Sequence, residues 1–230
     1  MIKENVAEAL QNIQRACERS GRDVSEVTLI AVSKTKPLEM IQEAVAAGML
    51  EFGENKPQEM RDKAKLLETP VHWHMIGSLQ TNKIKYVVGT ACLIHSVDSL
   101  ALAAAIEKEA AKKELVMDIL LEINIAKEES KHGFMEEDVT EAVREIAKFP
   151  HLRLKGLMTV APYTENAEEN RTYFKKMKEL LVDIQSKNID NVSMDILSMG
   201  MTSDYEVAIE EGATMVRIGT GIFGERIYTR

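Results

Sequence analysis

Two lysines stand where the first predicted strand ends, in the segment AVSKTKP (31–37). Lys34 continues the alternation of Ile30 and Val32, whereas Ser33 falls on the other face of the strand. Burial and a neighbouring cation would lower the pKa of the Lys34 amine and leave it nucleophilic, and such an amine forms Schiff bases with carbonyl compounds. A lysine that simply extends to solvent from a strand end is the commoner alternative, so other residues must decide between the two.

Two glycine-containing segments further along the chain are suited to holding one phosphate. They are SMGMT (198–202) and RIGTG (217–221), and each follows a predicted strand. Glycines let backbone N–H groups approach an oxyanion closely, and hydroxyl groups add donors. Either segment alone is also compatible with an ordinary glycine turn, but together they favour a phosphate site.

Arg217 is unusual because it lies within an apolar strand pattern, on the face of Met215 and opposite Val216 and Ile218. A buried guanidinium needs a partner, and a ring nitrogen or an anionic ligand would provide one. A Schiff-base lysine and a phosphate site around a space large enough for a ring together indicate pyridoxal 5′-phosphate as the ligand.

Histidines and an asparagine supply further candidates. His74 is expected to line the ligand pocket, and Asn55 could donate to a ligand oxygen, although an asparagine after a strand is more often a helix cap. His72 and His74 share a strand face, as metal ligands do, but the sequence identifies no third ligand, so no metal site is predicted. For His95 a surface position is the default expectation.

An α/β barrel is the element pattern that would bring these residues together. After a helix that ends at Gly21, short β-branched runs alternate with longer amphipathic runs, and their spacing predicts strand–helix units rather than hairpins. The predicted strands are 27–33, 51–54, 72–77, 92–97, 116–125, 152–160, 193–200 and 213–220.

Such an order predicts a (β/α)8 TIM-type barrel with an additional N-terminal helix, as one domain over residues 1–230. In this fold the loops after strands seven and eight often hold phosphate. A doubly wound open sheet is the alternative, but it would usually carry a glycine-rich turn after its first strand, and AVSKTKP contains no glycine.

Composition excludes several classes of partner. The chain has 29 Lys and Arg against 37 Asp and Glu, a formal charge of −8, so nucleic acid is not an expected partner. Its two cysteines lack the paired spacing of a secreted disulfide framework, which fits a reducing cytoplasm. No apolar run reaches 18 residues, and the N-terminal segment is charged throughout, so neither a membrane span nor export is expected.

Seven segments together resemble the pyridoxal phosphate homeostasis protein family, whose members are single-domain relatives of the alanine racemase barrel domain. In order, from about Val27 to Arg226, they are AVSKTKP, FGENKPQE, WHMIGSLQTNK, INIAKEESKHGF, LKGLMTV, SMGMTSDYEVAIEEGATMVRIGT and IFGER. Because the motifs cover nearly the whole chain in the family's order, the resemblance is a specific one.

The resemblance implies roles for individual residues. Lys34, rather than Lys36, matches the lysine that forms the Schiff base with pyridoxal phosphate. The implied phosphate contacts are Ser198, Met199, Gly219 and Thr220. The implied contacts of the pyridine ring are Arg217, which faces the ring nitrogen, and Asn55 and His74, which lie beside the ring. This chain has Thr202 where the family usually has serine, and Ser78 where a proline is frequent, and neither change affects the lysine or the phosphate residues.

The resemblance also implies a cytoplasmic protein that binds pyridoxal phosphate, has no established catalytic activity and helps to balance the free cofactor. Such a protein can buffer a reactive aldehyde or deliver it to apo-enzymes, and the sequence leaves both open. Only ten residues follow Thr220. We therefore expect the second domain of alanine racemase to be absent and, by analogy, the protein to be a monomer.

Two enzymatic alternatives remain from the sequence: a pyridoxal-phosphate-dependent amino-acid racemase and an aldolase-like Schiff-base catalyst. Each would need a second acid or base near Lys34, for which Tyr163 and His74 are the candidates. A transaminase is disfavoured, because an arginine at the pyridine nitrogen weakens the electron sink that such chemistry requires.

Overall fold

A computed structural model describes residues 1–225 of the chain. Its eight parallel strands form a closed barrel in chain order, and the last strand pairs with the first. The strands are β1 Thr28–Val32, β2 Glu51–Glu54, β3 His72–Met75, β4 Leu93–Val97, β5 Met117–Glu122, β6 Leu152–Met158, β7 Val192–Met201 and β8 Met215–Ile218. The predicted barrel is confirmed.

Helices surround the barrel. They are α1 Ile2–Ser20, α2 Leu38–Ala46, α3 Pro57–Leu66, α4 Leu100–Lys112, α5 Val139–Ile146, α6 Arg171–Ser186, α7 Tyr205–Glu210 and α8 Thr220–Phe223. Short 3-10 helices span Val24–Glu26, Thr81–Tyr86, Glu136–Asp138 and Ala167–Asn170. The predicted N-terminal helix is α1, and it ends where expected, because Gly21 adopts a left-handed conformation and its N–H closes the last turn on Cys17 and Glu18 carbonyls.

Several strands are shorter than their apolar patterns predict. β5 stops at Glu122 because the Asn124 side chain turns the chain: its amide donates to the Glu128 carbonyl at 2.8 Å, and its oxygen accepts the Glu128 N–H at 3.1 Å. β8 stops at Ile218 because Thr220 already begins α8. Apolar composition therefore marks the strands but not the points at which the loops begin.

The two faces of the strands serve different parts of the core. Val216 and Ile218 belong to the large apolar cluster that packs the sheet against the helices. Inside the barrel, a smaller cluster of Leu93, Leu120 and Met158 with Val160, Ile196 and Met215 forms an apolar layer. Two residues further along three of these strands, side chains on the same face are polar: His95, Ser198 and Arg217. The interior thus changes from apolar to polar towards the carboxyl ends of the strands.

Among residues 1–225, no helix is both long enough and apolar enough to cross a bilayer.

Candidate functional site

A cavity of about 430 Å³ opens at the carboxyl ends of the strands. Its walls are formed by Val32, Lys34, Asn55, Ile76, Val160, Tyr163, Met201, Thr202, Ser203, Arg217, Gly219 and Thr220. Pockets that hold small-molecule ligands usually measure ~300–1,000 Å³, so the size suits a cofactor. The predicted site residues in this wall are Lys34, Asn55, Arg217, Gly219 and Thr220.

Lys34 is half-buried in the wall directly after β1, and both of its neighbours are held in place. The Ser33 hydroxyl donates to Glu54 Oε1 at 2.7 Å, and the Thr35 N–H donates to Glu59 Oε1 at 2.6 Å. Thr35 has a φ of 63°, a conformation that a β-branched residue rarely adopts without outside support. The contacts on either side of Lys34 therefore fix the backbone from which its amine extends.

Lys36 has a different environment from Lys34. Its ammonium donates to the carbonyl oxygens of Phe223, Gly224 and Glu225 at 2.9–3.0 Å, at the end of α8 and just after it. This lysine is committed to a structural contact outside the cavity wall, which agrees with its interpretation as a loop residue.

A buried ionic cluster underlies the Lys34 loop. Lys63 Nζ donates to Glu54 Oε1, Glu59 Oε1 and the Ser33 carbonyl, each at 2.7 Å. Burial raises the pKa of Glu54, which is fully enclosed, while the charge and hydrogen bond of Lys63 oppose that rise. The sequence does not reveal this cluster, because Lys63 lies in a polar helix where lysine usually faces solvent.

Hydrogen-bond donors converge in the part of the cavity wall that follows β7 and β8. Thr202 Oγ1 lies 3.3 Å from the backbone nitrogen of Gly219, 3.5 Å from that of Gly221 and 3.3 Å from the Thr220 hydroxyl. These N–H and O–H groups belong to the segments that follow β7 and β8, including the start of α8, where this fold often holds phosphate. Thr202 and Ser203 line the cavity as well. Thr202 belongs to the segment predicted to hold phosphate, whereas Ser203 was not a predicted ligand contact.

Gly200 shapes the loop that presents Thr202. Its φ is 89°, and a Cβ added there would lie 2.6 Å from the Ala208 Cβ, too close for real side chains. We expect Gly200→Ala to lower the free energy of unfolding by about 2–4 kcal/mol, the sum of backbone strain and overpacking. Gly48→Ala is the matched control, because Gly48 has a φ of 95° with no atom within 4 Å of an added Cβ.

Chemical denaturation of both glycine variants separates the two contributions. Gly48→Ala should cost only the strain of about 1–2 kcal/mol. Equal losses in the two variants would show that the close approach to Ala208 has no energetic weight.

Two predicted phosphate residues lie outside this cavity wall. Ser198 is fully buried in the barrel interior, where its hydroxyl accepts a hydrogen bond from Arg217 Nη1 at 2.6 Å. The Met199 side chain is buried in the outer apolar cluster, against the helices. Phosphate contact by either residue therefore remains a prediction.

Arg217 connects the cavity to the interior. Its Nη2 donates to the Thr159 carbonyl at 2.8 Å, and only 4% of the residue is exposed. Burial lowers the pKa of Arg217 to about 10, while Asp204 and Glu122 oppose that change. The guanidinium therefore stays protonated near neutral pH, and it can only donate.

A chain of polar contacts runs down the barrel from Arg217. His95 Nδ1 lies 2.9 Å from Ser198 Oγ, His95 Nε2 lies 2.9 Å from His74 Nδ1, and His74 Nε2 lies 2.7 Å from Glu51 Oε2. Arg217 only donates and the Glu51 carboxylate only accepts. Each group between them can therefore accept a hydrogen bond from the neighbour on the Arg217 side and donate one to the neighbour on the Glu51 side. The Ser198 hydroxyl and the neutral forms of both histidines satisfy this order.

The positions of the histidines correct one expectation and qualify another. His95 is fully enclosed, so its expected surface position is wrong; burial, followed by His74 and Arg217, holds its pKa well below the ordinary range. His74 is also buried, and the cavity wall described above does not include it. A contact between His74 and the ring of a cofactor remains a prediction.

Asn55 carries a buried acceptor at the cavity wall. No hydrogen-bond partner of its Oδ1 is present among residues 1–225. Gly77 packs against it, and a Cβ added to Gly77 would lie 2.6 Å from the Asn55 Cα. A buried polar group without a partner is costly, so a ligand with a donor at this position would be stabilised.

The sequence matches the family model of the alanine racemase N-terminal domain over residues 5–227. It is 46% identical to the pyridoxal phosphate homeostasis protein of Aquifex aeolicus, over 98% of both chains. The protein of that name from Escherichia coli is 38% identical, over all of this chain and 98% of the relative. The chain belongs to the pyridoxal phosphate homeostasis protein family.

Solved structures place this family member among proteins with the same barrel. PipY of Synechococcus elongatus, solved with pyridoxal phosphate bound, is 34% identical and has a TM-score of 0.84, over 97% of this chain and all of PipY. An alanine racemase of Clostridium difficile has a TM-score of 0.73 at 13% identity, so the likeness shows the fold alone; this chain covers 58% of that racemase.

The family motifs occupy the cavity and its supports. AVSKTKP carries Lys34, FGENKPQE carries Glu54 and Asn55, and the long segment from Ser198 to Thr220 carries both donor loops. The last motif, IFGER, ends with Arg226, which lies outside the described residues.

Proposed function

We propose that this protein binds pyridoxal 5′-phosphate through a Schiff base on Lys34 and acts in intracellular homeostasis of that cofactor, without catalytic turnover. One observation carries the proposal: the Lys34 amine, the Arg217 guanidinium and the donors around Thr202 line the same cavity. The names of the curated relatives and the cofactor in PipY support it.

The residues present fit the chemical groups of this cofactor. A ring aldehyde suits the Lys34 amine, a phosphate suits the N–H and hydroxyl donors of Gly219, Thr220 and Thr202, and a polar ring substituent suits the orphaned Asn55 amide. When bound, the cofactor supplies a reactive aldehyde and a ring that can accept electron density.

Arg217 favours binding over catalysis. A guanidinium that stays protonated presents a donor to the ring nitrogen and disfavours its protonation, so the ring withdraws electrons less strongly. A reversible imine with a weak electron sink suits storage or delivery of the aldehyde. Apo-enzymes that need the cofactor are the partners we propose for delivery, and we propose a cytoplasmic, single-domain monomer.

The absorbance spectrum of the purified protein is the first test. We expect a yellow protein, and borohydride treatment should fix one pyridoxyl group on the peptide that contains Lys34. A colourless protein that traps a keto-sugar instead would overturn the cofactor assignment and favour the aldolase-like alternative.

A racemase-like activity is the competing function, and Tyr163 is the observation in its favour. This tyrosine lines the cavity and could serve as a second acid or base, but 88% of it is exposed to solvent. Steady interconversion of amino-acid enantiomers, lost in both Lys34→Ala and Tyr163→Phe, would overturn the non-catalytic part of the proposal and leave cofactor binding intact.

Replacing Arg217 tests its place between the ring and the barrel interior. Arg217→Met removes the side-chain donors to Thr159 and Ser198, and we expect a loss of about 1–3 kcal/mol in unfolding free energy. The bound cofactor should absorb at a changed wavelength while the borohydride label stays on Lys34, because ring protonation changes and the amine does not.

Arg153→Met is the matched control, since this arginine lies on the exposed side of β6 and pairs with Asp118. It should cost less than about 1 kcal/mol and leave the spectrum unchanged. An unchanged spectrum in Arg217→Met would show that this arginine does not contact the cofactor ring.

A further inference from the structure

A second cluster of chemically reactive side chains lies at the amino ends of the strands, opposite the cavity. Glu51 begins β2, His74 lies in β3, and Cys92 immediately precedes β4. Their carboxylate oxygen, imidazole nitrogen and thiol sulfur all lie within 4.8 Å of one another. We propose that Glu51, His74 and Cys92 form a binding site for a zinc-class divalent metal ion.

The donor set matches the preferences of zinc. Zinc combines thiolate, imidazole and carboxylate ligands in tetrahedral sites, with bonds of ~2.3 Å to sulfur and ~2.0–2.2 Å to nitrogen and oxygen. Those lengths place sulfur and nitrogen about 3.6 Å apart in a tetrahedron. The Cys92 Sγ and His74 Nε2 atoms lie 3.7 Å apart, so this edge of the site is already formed.

The Glu51 edge needs a small adjustment. Glu51 Oε2 and His74 Nε2 are hydrogen-bonded at 2.7 Å, whereas two ligands of one zinc ion lie about 3.4 Å apart. The carboxylate must therefore retreat by less than 1 Å. Its side chain is 27% exposed, so it has room to move while the buried imidazole stays in place.

His72 contacts the second oxygen of the Glu51 carboxylate. Its Nδ1 lies 2.6 Å from Glu51 Oε1, and its side chain is 62% exposed. His72 is not among the groups whose ligand atoms lie within 4.8 Å of one another, so water is the fourth ligand that completes a tetrahedron. The sequence pairs His72 with His74, but only the barrel brings Glu51 and Cys92 to them.

The outer hydrogen bonds are those expected around a metal-binding histidine. Such a histidine usually has its second ring nitrogen fixed by another group, and His74 Nδ1 lies 2.9 Å from His95 Nε2. A metal on Nε2 requires the His74 proton on Nδ1, which then donates to His95. His95 in turn donates to Ser198, so metal binding reverses the two hydrogen bonds that join His74, His95 and Ser198, while Arg217 still donates to Ser198.

The Cys92 sulfur faces the other two ligands. Although Cys92 as a residue is exposed, its sulfur donates to the Trp73 carbonyl and faces His74. A bound metal ion supplies positive charge beside the sulfur, and a coordinating thiol is deprotonated outright.

Binding of Zn²⁺ to the purified full-length protein tests the site. By calorimetry with metal analysis after dialysis, we expect one tightly held Zn²⁺ per chain, released by chelator. Cys92→Ala and Glu51→Gln should each weaken binding by more than about tenfold, since they remove a ligand rather than an outer contact. Co²⁺ should give a sulfur-to-metal charge-transfer band that Cys92→Ala abolishes.

The controls separate this site from other metal ligands. Cys17→Ala removes a thiol buried in α1 and should leave Zn²⁺ affinity unchanged. Lys34→Ala should bind Zn²⁺ as the parent does, which excludes chelation by the cofactor. Both site variants replace residues at the accessible rim, and a cooperative melting transition without metal shows that they fold. Zn²⁺ bound equally by Cys92→Ala and the parent, or no saturable binding at all, would overturn the proposal.

Discussion

The Lys34→Ala protein is expected to be colourless, and borohydride should leave its mass unchanged. An imine needs a primary amine within bonding distance of the aldehyde, and the cavity wall supplies that amine through Lys34. The phosphate donors and Arg217 remain in this variant, so weak, non-covalent binding should persist while the covalent label is lost. Intact mass spectrometry after borohydride reduction measures the label directly.

Lys36→Ala is the matched control for Lys34→Ala, because it removes an amine two residues away in the same loop. The Lys36 ammonium is engaged with the carbonyls at the end of α8 and just after it, so its loss should reduce stability but leave the label on Lys34. Lys34→Arg retains the positive charge without an amine that forms a stable imine, and it should also be unlabelled. Full labelling of Lys34→Ala at a single other site would contradict the assignment of this lysine.

Periodicity was sufficient to predict the barrel and the face of the strand from which Arg217 extends. Met215 and Arg217 alternate with Val216 and Ile218, and the structure places the first pair inside the barrel and the second against the helices. Such alternation predicts which side chains share a face of the strand, because a strand has only two faces and one must be apolar. Strand ends were less accurate, since a single side chain such as Asn124 can turn the chain.

Long-range polar contacts could not be predicted from the sequence. His95 sits in a strand without any local sign of its partners, which come from β3 and β7, and Cys92 lies 41 positions from Glu51 in the sequence. A barrel strand touches its neighbours at every residue, but the sequence does not tell which polar side chains of adjacent strands meet. Thr202 was predicted as part of a phosphate segment, but the central position of its hydroxyl among the donors could not be predicted from the sequence.

The ionic cluster behind Lys34 also combines residues from three elements, the end of β1, the end of β2 and helix α3. Ser33 and Thr35 flank Lys34, and both donate hydrogen bonds to carboxylates of the cluster. Ser33 donates to Glu54, and Thr35 donates to Glu59. Because these contacts set the backbone on both sides of Lys34, the cluster links the stability of the fold to the position of the amine.

Replacing Lys63 by methionine is therefore expected to lower the free energy of unfolding by about 3–5 kcal/mol. The variant keeps the length of the side chain but leaves the Glu54 carboxylate fully buried without its cation. Borohydride labelling of Lys34 should become slower or incomplete as the loop loosens. Urea denaturation measures the first effect, and Lys65→Met, which alters an exposed lysine of the same helix, should change stability by less than about 0.5 kcal/mol.

The pH dependence of the Lys63→Met deficit tests whether Glu54 causes the loss. Burial already raises the pKa of Glu54 above 4.5, and removal of Lys63 takes away the charge that opposed this rise. A carboxyl with a raised folded-state pKa stabilises the fold below its unfolded pKa, and that contribution disappears as pH rises through the folded value. The deficit of Lys63→Met should accordingly be smaller near about pH 5 than near about pH 8. A deficit that stays constant over this range would mean that lost packing, rather than an uncompensated carboxylate, destabilises the variant.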